Sequence, residues 1–545
     1  MKRYTALSVL LMIISNVYSQ QDTLNAIIQV ENDYTPVVTK AAKQNHTPQI
    51  EITQHATPLD IIFSQESQPF KRFVSERNVK DVLPQQEKRN PGYARFGYGN
   101  DNNIDAALSY RRNIGKNDKI EFIGTLNGFN TKMATPYGDA KRRFYNTWAE
   151  ATYAHSFEKL TLGADINFVN RAFNYTPAIM MQAATNKQTY NNFGIKLKAL
   201  SHNTGPFSYK ATLGYQVHTQ KYSAGENDKV SENHFSADGT LCYELTHELI
   251  RNIAADIAFD AFTYGGAAKN NIDKYNNYAS VRINPYANYN DGKRKIRVGF
   301  HADILTANGS FLALAPDISI ESKIKENIVI YANVDGGRTL NTFDRIEQLS
   351  PYQCYIPGNE QYTATYTIAD VTAGTRISFE PFHIDLYAGY SYTKDEMMPY
   401  VSEEKILHTS FTQSTARNLY IGTRMGYDFG GWLKFATGAR YDHQKCSGSN
   451  TLLLYKPMFT LDIDTEAHLY DGLYANIGYK FTGYTKVKNT RLKEANILNA
   501  RLNYKLYDRI GIFAEGNNLL DSEHEEYPGY IAQGRNFIAG LSVNF

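Results

Sequence analysis

The chain ends in Asn536-Phe-Ile-Ala-Gly-Leu-Ser-Val-Asn-Phe545, and the reading of this stretch decides the fold. Phe537, Ala539, Leu541, Val543 and Phe545 are apolar, while Asn536, Ile538, Gly540, Ser542 and Asn544 stand between them. A strand sends successive side chains to opposite faces, so one face here is oily and the other mostly polar. The same period returns at 498–506, with Asn499, Arg501, Asn503 and Lys505 on the second face. It returns again at 382–392, at 160–168 and at 104–110. From residue 91 onward the chain divides into about 22 such segments, with boundary errors of about two to four residues. The spans 143–156, which turns Trp148 to the polar side, and 510–517, which is short, carry the weakest pattern.

The connections alternate in length. Gly115-Lys-Asn-Asp118, Asn290-Asp-Gly-Lys293, Glu380-Pro381, Asp471-Gly472 and Asp508-Arg509 are tight turns. Their residues supply positive or fixed φ. The stretches 172–188, 338–361, 394–414 and 518–531 are long. Short turns at one end and long loops at the other are the pattern of a transmembrane β-barrel. The predicted fold is all-β: a closed antiparallel transmembrane barrel of about 22 strands, both ends returning to the short-turn, periplasmic side. A soluble propeller or a row of sandwiches requires each apolar face to pack on another sheet, with punctuation at domain intervals.

Composition agrees. No run after the N-terminus reaches the roughly 18–20 apolar residues of a spanning helix. Lys and Arg number 57 and Asp and Glu 55, a balance with no field for nucleic acid. Tyr is abundant (41 residues) and Trp scarce (2), and amphipathic rings suit a membrane–water boundary. At the N-terminus, Lys2 and Arg3 precede an apolar run to Ile14, and Ser19 closes the stretch, so 1–19 reads as an export signal. The three cysteines, Cys242, Cys354 and Cys446, are too few for a disulfide framework. They read as free thiols or as one Cys354–Cys446 bond beside a free Cys242.

The C-terminal motifs carry a resemblance. Asn517-Asn-Leu-Leu-Asp521, Tyr527-Pro-Gly-Tyr530, Gly534-Arg535 and the terminal Phe545 resemble the end of a TonB-dependent receptor barrel. The resemblance implies an outer-membrane location in a Gram-negative envelope, solute transport or a porin-like channel, and recognition of Phe545 by the barrel-assembly machinery. Residues 20–90 carry none of that family's plug motifs and are too short for such a plug, so they read as a leader before a plug-less barrel at 91–545. A ring of this size has a backbone diameter of about 44 Å, from strands about 4.8 Å apart tilted by about 40°. Barrels this wide are normally filled, so the leader, inward-folded loops or a partner protein is expected in the lumen.

No zinc, phosphate-loop or nucleophile-elbow motif occurs, and the expectation is a non-enzyme without cofactor or bound metal. The distinctive chemistry lies on the predicted inner face. Lys434, Arg440 and Asp442 share one strand, Asp462, Asp464 and Glu466 the next, and Arg501 and Lys505 a later one. These charges either line a hydrophilic path or form a cross-strand ladder that stiffens the wall. His301 and Asp303 pose the same choice. Glu523-His-Glu-Glu526 reads as a cation-binding or a solvated acidic loop, and Lys141-Arg-Arg143 as a phosphate-binding or a solvated basic one. Expected partners are outer-membrane lipid, the assembly machinery and other envelope proteins. The main alternative to transport is a structural or assembly component of an outer-membrane complex.

Overall fold

The computed structural model describes residues 91–135, 138–174, 187–202, 205–221, 229–246, 250–266, 275–352, 361–400, 410–447, 457–487, 490–527 and 530–545. The expected export signal at 1–19, the leader at 20–90 and Cys354 lie outside the described residues.

Twenty-two strands form one closed antiparallel sheet, the expected architecture. The ring shuts where Gly92–Gly99 pairs with Asn536–Asn544 on one side and Ile104–Ile114 on the other. Gly92 and Phe545 exchange backbone hydrogen bonds of 2.8 and 2.9 Å, so the barrel begins and ends at one place. Both weak spans are wall strands, Gly138–Ser156 and Ile510–Asn517. Trp148 lies opposite Thr125 and Val169, on the face away from the exposed Phe168, and so points inward.

Side-chain parity follows the alternation. Phe96, Leu108, Ile166, Leu197, Phe300, Leu386, Ile421 and Leu541 are exposed on the outer face. Together they make an apolar surface larger than a monomer in water usually presents. Arg95, Asp105, Asp165, Asn284, Asp303 and Arg501 are buried. Tyrosine is divided between the two sides. Tyr153, Tyr215, Tyr390 and Tyr504 are exposed, but Tyr190, Tyr264, Tyr278, Tyr331, Tyr387 and Tyr420 are buried on the inner wall. A phenol supplies an apolar ring and a polar tip, which suits a polar lumen as well as a membrane boundary.

The long-loop ends depart from the expected boundaries. The span 382–393 continues as Phe382–Tyr400, and 415–428 as Ser410–Phe429. Apolar alternation stops where the outer face stops being apolar, but ladder hydrogen bonds do not require it. The pair therefore continues past Lys394 with a register shift between Thr393 and Glu396. The loop at 338–361 contains a helix, Phe343–Leu349. Thr342 caps it, accepting from the Arg345 N–H at 3.1 Å, and Phe343, Ile346 and Glu347 are its buried face. At this end the inner wall is aromatic as well as polar. Phe129, Phe144, Phe173, Phe262 and Tyr278 form one buried cluster with Phe343, Ile346 and Tyr352. Tyr527 and Tyr530 belong to the same cluster, so described residues of two long connecting segments, 338–361 and 518–531, pack against the inside of the wall.

Candidate functional site

The eight inner-face charges do not converge on one point. In the register Lys434 lies opposite Glu466, and Asp462 opposite Lys480. Asp464 shares that face, opposite Gly478. Arg440 turns along its own strand to Asp442 (Nε to Oδ2, 2.8 Å) and lies 4.2 Å from the Tyr420 ring centroid. Asn418 donates to the same carboxylate at 2.6 Å. Arg501 pairs with Glu515 at 3.5 Å, close to the closure seam, where Arg95 pairs with Asp105 at 3.1 Å. Lys505 meets Asp508 at 3.4 Å at the short-turn end.

Between these charges the wall is braced by stacked side chains. Arg376 lies over Tyr331 (4.4 Å) and Arg424 over Tyr387 (5.0 Å), while Tyr331 donates to Asp385 at 2.8 Å. Tyr387 and Tyr420 lie flat over glycines of neighbouring strands, and a Cβ at Gly422 or Gly389 would collide with those rings. Among the described residues one group has metal-ligand geometry: His301, Asp317 and Asp335, with ligand atoms within 4.8 Å of one another. Asp317 is already held by Arg297 (2.7 Å) and Asn284 (2.9 Å), and the Arg297 charge opposes a cation there. Asp303 instead receives Arg282 at 2.7 Å.

The second assembly is the mouth at the long-loop end. Glu232 accepts the Phe343 N–H (3.1 and 3.2 Å), and Asn192 donates to Asp344 at 3.0 Å. Arg171 pairs with Glu347. Arg142 donates to the Tyr352 hydroxyl (3.2 Å) and pairs with Glu526 at 2.9 Å. Tyr352 stacks on Tyr530, with centroids 3.7 Å apart. The loop residues 342–352 are thus pinned to the wall by charge, by hydrogen bonds and by aromatic contact. Burial pushes the Tyr352 phenol up to about 12 and raises the Glu526 carboxyl, against the pull of Arg142. Burial also lowers His524.

Neither loop motif keeps its expected surroundings. In Lys141-Arg-Arg143 the strand alternation turns the middle residue into the mouth, so Arg142 is neither solvated nor open to phosphate. In Glu523-His-Glu-Glu526, Glu526 goes to Arg142 while Glu523 is exposed 3.9 Å from Lys493, so their carboxylates do not share one cation. Cys446 is a free thiol 3.3 Å from the Met398 sulfur, and Cys242 is free as well. The Phe545 ring covers Gly92, where a Cβ would overlap it, and stacks with Tyr110 at 6.4 Å.

No family profile matches the chain, and no curated protein matches it by sequence. Solved structures match it by shape. The FrpB iron transporter from Neisseria meningitidis aligns with a TM-score of 0.66 at 12% identity, over 86% of this chain and 83% of that one. The siderophore receptor PirA from Acinetobacter baumannii aligns with 0.66 at 12%, over 85% and 81%. The ferric enterobactin receptor PfeA from Pseudomonas aeruginosa, in its complex with enterobactin, aligns with 0.63 at 12%, over 85% and 82%. The chain therefore has the fold of a TonB-dependent receptor barrel.

Proposed function

We propose that this protein is an outer-membrane barrel that passes a hydrophilic solute, and that the folded-in loop 342–352 constricts its mouth. The carrying observation is the contrast between the two faces of one closed sheet: Leu108, Phe300 and Leu541 outward, charges inward. A wall of that kind is stable with hydrocarbon outside and water within. Lys434, Arg440, Asp442, Asp462, Asp464, Glu466, Arg501 and Lys505 belong to the lining of the aqueous path. The mixed signs suit a polar solute rather than one fixed charge. In this reading 1–19 is removed on export, 20–90 is a leader without a plug, and Phe545 is the feature recognised during barrel assembly. The likeness to iron and siderophore receptors makes ferric chelates the first solutes to try.

The test is flux into vesicles that contain the purified chain, with small sugars and ferric chelates as solutes. Entry above that of protein-free vesicles is expected, rising when 342–350 is replaced by a short Gly-Ser linker. A wall that admits neither class of solute, with or without that loop segment, contradicts the reading and favours the assembly role.

A further inference from the structure

The strand Leu312–Lys325 is laddered to Arg294–Leu305 as far as Ile304 opposite Leu312. Toward Ile328–Thr339 its ladder ends sooner, at Asp317 opposite Asp335. Beyond that pair Gly337 has φ +117°, a conformation that glycine adopts without strain. The Arg338 N–H then reaches the inner-wall carboxylate of Asp303 at 2.9 Å. The end of Ile328–Thr339 stays with Thr365–Phe379 after a register shift between Asp335 and Gly337. Two neighbouring wall strands therefore part, and 312–316 keeps an edge without a ladder on that side.

A cavity of about 440 Å³ occupies the parting, lined in part by Leu312, Leu314, Arg338, Tyr366, Lys394 and Asp395. Leu312 and Leu314 are 49% and 56% exposed on the outer face, which makes an apolar lip. The Tyr366 hydroxyl donates to the Leu314 carbonyl at 2.5 Å across the gap. Arg338 is 5% exposed. Its guanidinium donates to neutral oxygens, the carbonyl and hydroxyl of Ser310 and the carbonyl of Asp303. Among the described residues no carboxylate pairs with it, and the Asp303 carboxylate is engaged by Arg282. A buried guanidinium whose nearest carboxylate, Asp303, is shared with a second arginine is incompletely neutralised, and an anion in the cavity completes it. Lys394 is exposed at the rim, opposite Tyr366 in the register. Asp395 adds one carboxylate, so two cations face one anion.

The level of the cavity selects the source of the missing charge. Leu314 stands about eleven residues from the short-turn end of its strand, near the length a tilted strand needs to cross the hydrocarbon. The opening thus lies at the far boundary, where headgroups begin. We propose that this parting seats the phosphate headgroup of an anionic outer-leaflet lipid, with its acyl chain along Leu312 and Leu314. The proposal rests on the membrane-spanning reading above.

The full chain, reconstituted in vesicles of equal phosphatidylglycerol and phosphatidylcholine and then released into mild detergent, is examined by native mass spectrometry. Retained phosphatidylglycerol is expected to exceed phosphatidylcholine by about tenfold, the scale of one charge-assisted contact. Lys394→Glu and Arg338→Gln are expected to bring the ratio to near one, and Lys293→Glu, at the opposite end of the wall, to leave it unchanged. Arg338 also holds a strand end, so Lys394→Glu decides the matter if the Arg338 variant does not insert. Millimolar inorganic phosphate is expected to displace no lipid. Equal retention of the two lipids, a ratio indifferent to Lys394→Glu, or displacement by phosphate overturns the proposal while the barrel reading stands. Failure of the unaltered chain to enter vesicles overturns both.

Discussion

Arg142 shows how much one residue's parity decides. In sequence it is the centre of a basic triplet beside a loop, which reads as a solvated patch. In the barrel it is buried, and its partners Tyr352 and Glu526 lie far along the chain. Nothing local to 141–143 announces them, because the pairing exists only once the strand and both loops are in place. The inner-face charges were legible for the opposite reason. Parity alone assigns Asp462, Asp464 and Arg501 to one side, although it does not say that Arg440 bends to Asp442 rather than across a strand. Arg142→Ala strands a buried carboxylate, at a cost of about 3–5 kcal/mol. Hydrogen exchange should then quicken in 342–352 and 525–531 while the wall strands stay protected; uniform protection would show the pair to be idle. Gly92→Val should cost about 1–3 kcal/mol by overlap with the Phe545 ring. Slower folding into vesicles, with a lower urea midpoint, is the expected measurement.

At the scale of elements, the strands were legible because each carries its own signal: period two, bounded by turn residues. Their outer ends were not, since beyond the apolar band a ladder needs only backbone groups. The helix Phe343–Leu349 was missed although Thr342, Asp344 and the Phe343/Ile346 spacing are its cap, first turn and buried face. Seven residues are too few for periodicity to stand out, and the helix relies on packing rather than on propensity. If it is seated as described, Asn192→Cys with Asp344→Cys, in a chain whose native cysteines are replaced by Ser, should be bridged by a short bifunctional methanethiosulfonate reagent. The native contact between those side-chain tips is 3.0 Å, which a linker of a few atoms spans. Bridged protein should show slower exchange through 342–352 than unbridged protein. A pair that reacts only as two separate thiols would place the loop elsewhere.

On the whole molecule, closure is the property from which the others follow. A closed ring leaves no full-length strand edge, only the short parting at 312–316, and a long edge left open is a template for aggregation. Removal of Asn536–Asn544 opens two edges at once, on Gly92–Gly99 and on Ile510–Asn517. The shortened chain should aggregate and fail to float with vesicles in a density gradient. Circumference arithmetic called for a filling; among the described residues, 342–352 with Tyr527 and Tyr530 packs against the inner wall at the long-loop end. Which loops turned inward was beyond the sequence, because a loop segment packed into a mouth and one standing in water share the same composition. The most direct test of the account is single-channel conductance in planar bilayers, for the full chain and for the chain with 342–350 replaced by a short Gly-Ser linker. The account predicts low or flickering conductance that becomes larger and steady when the segment is gone. Equal conductance from the two chains would contradict it.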